Sequence, residues 1–130
     1  MFSAGDFLAK HVFPPKNGPV PGPVGLRNGR VGRSPTTIIR DAIAKSGWTS
    51  DEARWVIPHQ ANGRILKAAA KRSGIAFDRF YLNVDHVGNT SSASIPIAIV
   101  EMEERLEPSD KLILCSVGAG MTTAAIAVEW

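Results

Sequence analysis

The chain has 130 residues, 44% of them apolar, with one cysteine and a formal net charge of +3. That size and apolar content suit a single folded domain, and the mild positive charge lacks the dense Lys/Arg runs interleaved with aromatics that nucleic-acid binding calls for. Cys115 can form no intrachain disulfide, Pro96, Gly118 and Gly120 break the longest apolar stretches, and no signal peptide is legible, so the expectation is a cytoplasmic protein without a membrane span.

Between Pro14 and Pro35 the runs Pro14-Pro15, Gly18-Pro19 and Pro21-Gly22-Pro23 fix φ and remove donors, so residues 1–27 read as an irregular arm with at most a short helix around Phe7 and Leu8. From Ser34 onward the pattern alternates regularly. Ser34 suits a helix cap and Pro35 the first helical position, and Ile38, Ile39, Ala42 and Ile43 recur at helical spacing until Gly47. Arg54 to Ile57 is short and β-prone, closed by Pro58; a second helix is expected from Gln60 to Ser73, ended by Gly74, with Ala61, Ile65 and Ala68 or Ala69 inward. Arg79 to Val84 reads as a further strand, followed by the turn Asp85-His86-Val87-Gly88 and a helix from about Ser92 to Leu106 with Pro96 in its first turn. Leu112 to Val117 suits a sheet centre, and Gly118-Ala119-Gly120 turns the chain into a last strand, Thr122 to Trp130. The class is α/β.

Two motifs stand at successive strand-to-helix junctions: Pro58-His59-Gln60-Ala61-Asn62 and Gly88-Asn89-Thr90-Ser91. In open α/β sheets the groups that act on ligands lie just beyond the carboxyl ends of strands, which is where His59 and Asn89 fall. The turn through Ala119 follows a third strand and offers backbone amides. An imidazole, a carboxamide and backbone donors together suit stabilisation of an enolate or oxyanion. The scattered histidines, without acidic or thiol partners at ligand spacing, give no metal site.

These motifs, with Ser94-Ile95-Pro96 and Gly118-Ala119-Gly120-Met121-Thr122 in that order, resemble the C-terminal half of a β-ketoacyl-acyl-carrier-protein synthase III. The likeness runs over residues 28–130, with Asn28-Gly29-Arg30 its weakest part, and it implies one half of a thiolase-like fold, a mixed sheet with flanking and buried helices. Family members load an acyl group onto a cysteine, decarboxylate a malonyl thioester carried on acyl carrier protein, and join the two. By that resemblance His59 and Asn89 match the pair that stabilises the enolate, and Ala119 the residue whose backbone amide serves the oxyanion hole. Asn62 matches a position near the pantetheine tunnel. Arg64 matches a basic residue at its mouth, and with Lys67 and Lys71 forms a stripe suited to an acidic carrier protein or to CoA phosphates. CoA and carrier-protein thioesters are then substrates, and no permanently bound cofactor is implied.

The family's nucleophilic cysteine belongs to the N-terminal half, which has no counterpart in this sequence. Cys115, inside Leu112-Ile113-Leu114-Cys115, reads as a small core residue and not as a replacement. The main expectation is therefore an acyltransferase half-site for decarboxylative Claisen condensation, needing a cysteine-bearing half; a malonyl-thioester decarboxylase without condensation and a non-catalytic assembly module are the alternatives. A half-fold also exposes apolar surface that its counterpart would cover, so self-association is expected.

Overall fold

A computed structural model describes residues 34–118 and 122–130. The expected N-terminal arm, the Asn28-Gly29-Arg30 match and Ala119 lie outside the described residues. Helix α1 (Pro35–Ser46) starts and stops where its sequence signals stand: Ser34 Oγ accepts the Thr37 N–H at 3.3 Å, and Gly47 closes the helix at φ 74°. Pro35 sits in the first turn, where a missing N–H leaves no bond unmade.

The sheet has three strands in the order β1 (Trp55–Pro58), β2 (Lys111–Val117), β3 (Thr123–Glu129). β1 runs parallel to β2, with Val56 opposite Ile113 and Pro58 opposite Cys115. β3 returns antiparallel, with Ile113 opposite Ala127 and Cys115 opposite Ala125. The sheet is therefore mixed, and its continuous apolar strand, Leu112 to Cys115, is the central one.

Alternation along the strands sorts the core into two faces. Val56, Ile113 and Cys115 point to the face packed by Ile38, Ile39, Ala42 and Ile43 of α1, with Ala70, Ile75 and Phe80 in the same cluster. Ile57, Leu112 and Leu114 point the other way, where helix α4 (Ser94–Met102) touches β1 and buries Ala98, Ile99 and Met102. On this face Ile126 of β3, opposite Leu114, is left exposed.

Two segments depart from the sequence expectation. Helix α2 runs from Gly63 to Ser73, not from Gln60, because residues 60–62 make a tight turn: Ala61 N–H donates to His59 O at 3.0 Å and Asn62 Oδ1 caps Arg64 N–H at 2.9 Å. The later start rotates the buried face to Leu66, Ala69, Ala70 and Ser73, so Ala61, Ile65 and Ala68 are exposed.

The second departure is the expected strand from Arg79 to Val84. It makes a single parallel bridge, Phe80 to Val56, between a 3₁₀ turn (Phe77–Arg79) and a one-turn helix α3 (Val84–Val87). A longer ladder would need an N–H from Pro58 to meet Tyr81 O, and proline has none. The Gln60 side chain takes that place, as its Nε2 donates to Tyr81 O at 3.0 Å and its Oε1 accepts Asn83 N–H at 3.0 Å.

Candidate active site

His59 is the first residue past β1. Its backbone N–H donates to Cys115 O at 2.7 Å, so the parallel ladder holds the main chain one residue beyond the strand. Its Nδ1 is 2.7 Å from the Oγ of Ser94, the first residue of α4 and 2% exposed. The imidazole is thus fixed at both its root and one ring nitrogen, and no described residue hydrogen-bonds its Nε2.

Gln60, completely buried, supports this corner. Its side-chain N–H groups donate to Pro58 O at 2.9 Å and to Tyr81 O, its Oε1 accepts from Asn83, and its backbone N–H reaches Ser94 Oγ at 3.4 Å. A buried amide with every polar group engaged rigidifies what surrounds it. Its side chain joins the turn after β1 to the segment leading into α3, and its backbone N–H reaches the start of α4 at Ser94.

Asn89 lies in the second loop. Gly88 enters it at φ 77°, ψ −169°, a region essentially reserved for glycine, and Ser91 follows at φ 56°. Asn89 Oδ1 accepts the Ser91 N–H at 2.9 Å, which holds the bend, and the residue is exposed. The same loop delivers Ser94 to His59. Asn89 and His59 are thus joined through five residues of chain and one hydrogen bond; their side chains have separate partners, Ser91 N–H and Ser94 Oγ.

Among the remaining expected residues, Asn62 is exposed and its oxygen is committed to capping α2. Arg64, Lys67 and Lys71 are all exposed on α2, a helix that carries Arg72 besides and no acidic residue; Lys67 Nζ stands 5.6 Å from the Phe77 ring centre. Cys115 is 4% exposed, and burial pushes its thiol up to about 12, the reverse of what a nucleophile requires. Among the described residues no three acidic, histidine or cysteine side chains gather closely enough to hold a metal ion.

Ser94 and Gln60 make the contacts around His59, and residue-type reasoning passes over both, although both stand inside the quoted motifs. A second cluster had no sequence signal. Glu101 Oε2 accepts from Asn83 Nδ2 at 2.7 Å and from Tyr81 O–H at 2.9 Å, while its Oε1 stands 3.4 Å from His86 Nε2. These bonds hold the Glu101 carboxyl below its ordinary range, and Asp85 and then Glu101 raise His86.

Residues 43–130 match the family model described as 3-oxoacyl-[acyl-carrier-protein] synthase III C terminal. Over 99 residues the chain is 40% identical to β-ketoacyl-[acyl-carrier-protein] synthase III of Chlorobium phaeovibrioides, covering 75% of this chain and 30% of that protein. The enzyme of the same name from Clostridium beijerinckii is 49% identical over 94 residues, 71% of this chain and 29% of its own length. Among solved structures, synthase III of Thermus thermophilus superposes with a TM-score of 0.70 at 44% identity, covering 73% of this chain and 30% of that one. That of Aquifex aeolicus gives 0.72 at 35% identity, over 75% and 32%. The chain therefore spans less than a third of each of these relatives.

Proposed function

This chain belongs to the 3-oxoacyl-[acyl-carrier-protein] synthase III family, as its C-terminal domain, and on that premise we propose that it supplies the enolate-stabilising half of a condensing active site. Its substrate there is a malonyl thioester on acyl carrier protein. As the bond between the malonyl α-carbon and its carboxylate breaks, carbon dioxide leaves and the electron pair passes into the thioester as an enolate. His59 Nε2 and the Asn89 side chain donate to that oxygen, and the Ala119 backbone amide serves the oxyanion of the later acyl-transfer step. The enolate carbon then attacks an acyl thioester held on a cysteine of the N-terminal half, and the cysteine thiolate departs.

The observation that carries this reading is the clamp on His59: an imidazole held by backbone and by a buried hydroxyl, at the carboxyl edge of a parallel strand. The cysteine must come from elsewhere, because the thiol in this sequence is buried in the sheet and protonated. α4 points the same way. Apart from Ser94 at its start and Glu101 near its end it is apolar, as a helix packed between two sheets would be, yet Val100 is 57% exposed. The basic side of α2, with Arg64 and Lys71, suits the acidic carrier protein, and Asn62 the pantetheine beside it.

Mixing the chain with a cysteine-bearing N-terminal half of the family is expected to give acyl-CoA-dependent condensation. In that complex His59→Ala should slow malonyl decarboxylation by roughly 10²–10³-fold, the usual effect of removing one preorganised donor. Decarboxylation that survives His59→Ala unchanged would overturn the proposal.

A further inference from the structure

Ser94 has a hydroxyl with one proton to place and almost no freedom in placing it. Its Oγ, on a residue 2% exposed, stands 2.7 Å from His59 Nδ1 and receives the Gln60 backbone N–H at 3.4 Å. An amide N–H only donates, so that contact occupies an oxygen lone pair. Two arrangements remain for the imidazole. If Nδ1 carried the proton, Ser94 Oγ would accept twice and its own buried O–H would face no acceptor among these contacts, an arrangement proteins avoid. If Nδ1 is bare, Ser94 O–H donates to it, each group is matched, and the ring proton sits on Nε2.

We propose that Ser94 is a positioning residue that donates to His59 Nδ1 and so holds the imidazole as the Nε2–H tautomer, turned to offer a donor at the open end of the site. Its value for catalysis rests on the enolate-stabilising reading of His59. A ring with the opposite tautomer would present a lone pair to the developing enolate oxygen and repel it. Ser94 also opens α4 five residues after Asn89, so one short segment carries both Asn89 and the hydroxyl that meets His59.

The test uses the full chain labelled with ¹⁵N-histidine, with His59 assigned by comparison with His59→Gln. In the wild type, long-range proton–nitrogen spectra should show protonated Nε2 and a bare Nδ1 shifted by accepting a hydrogen bond. Ser94→Ala should move the Nδ1 resonance to that of an unbonded ring nitrogen and bring in the second tautomer, while Ser94→Thr, which keeps the hydroxyl, should retain the wild-type pattern. A wild-type His59 protonated on Nδ1 overturns the proposal without any variant, so poor folding of Ser94→Ala does not shield it. An unchanged Nδ1 resonance in a folded Ser94→Ala overturns it equally. In the complex with a cysteine-bearing half, Ser94→Ala should lower kcat for malonyl decarboxylation by roughly 100-fold with KM nearly constant, as loss of orientation at the reacting atoms does. If the spectra follow the expectation while His59→Ala leaves decarboxylation intact, the positioning by Ser94 stands and the enolate reading falls.

Discussion

At the level of single residues, the Gly88-Asn89-Thr90-Ser91 loop is held by backbone conformation more than by contacts. Gly88 at φ 77°, ψ −169° and Gly47 at φ 74°, ψ 13° both have positive φ, and neither has an atom within 4 Å of where a Cβ would stand. The difference lies in ψ. Gly47 occupies the left-handed helical well, which asparagine enters readily, whereas the Gly88 region is nearly closed to any side chain. Gly47→Asn is therefore expected to be almost neutral, and Gly88→Asn to cost about 1–3 kcal/mol in urea unfolding of the full chain. Equal costs at the two sites would show that the Gly88 loop relaxes freely, and its hold on Asn89 would then need another cause. The reason to expect otherwise is Ser91, a non-glycine residue kept at φ 56° while its N–H is bonded to Asn89 Oδ1.

Among the elements, α3 and α4 are joined by charge. Asp85 and Glu101 raise His86, so its contribution is complete below the ordinary imidazole value of 6.5 and is lost as pH rises through the raised one. Glu101, lowered by Asn83 and Tyr81, contributes fully above its ordinary 4.5 and loses that contribution as pH falls through the lowered value. Glu52, held at about 2 by Lys111 and Thr49, adds to the acid limb. Unfolding midpoints in urea should therefore be highest between roughly pH 4.5 and 6.5 and fall on both sides. His86→Gln should remove most of the alkaline fall and leave the acid limb in place; an alkaline fall that persists in full would assign it to another group. None of this cluster was visible in the sequence, because Tyr81, Asn83, His86 and Glu101 meet only once α3 and α4 are folded. The elements themselves were legible where local chemistry decides them, as with Ser34, Pro35 and Gly47 around α1 or the apolar run of β2. Legibility failed where a side chain stands in for backbone. Gln60 looks like a good helix former and Arg79 to Val84 like a strand, but the Gln60 amide replaces the ladder bonds that Pro58 cannot make. The His59 and Asn89 positions were legible from motif order, and the hydroxyl that orients His59 was not, since serine is among the commonest residues on any surface.

For the molecule as a whole, the unfinished side is the one that α4 shares with β1. Val100 on α4 is 57% exposed and Ile126 on β3 is 47% exposed, on the side of the sheet where Ile57 and Leu114 are buried. No helix among the described residues is long and apolar enough to cross a membrane, so lipid-spanning helices do not explain such surface. On the proposed half-site reading this is the side that a cysteine-bearing half would cover, and the isolated chain is expected to cover it by pairing with a second copy. Sedimentation equilibrium at micromolar concentration should then show concentration-dependent association. Covering a half-exposed Val or Ile is worth about 1 kcal/mol each, and a pair of copies buries two of each, so Val100→Lys with Ile126→Lys should weaken association by roughly 10³-fold and leave the helical circular dichroism unchanged. The same pair of substitutions should prevent a cysteine-bearing half from docking, because one surface cannot serve both partners at once. A chain that stays monomeric before substitution would place the covering material within the chain itself, and added N-terminal half would then have to displace it, making complex formation slow and independent of its concentration at saturation. Self-association that competes with docking and is abolished by the same two lysines would instead identify one apolar face as the surface on which the active site is completed.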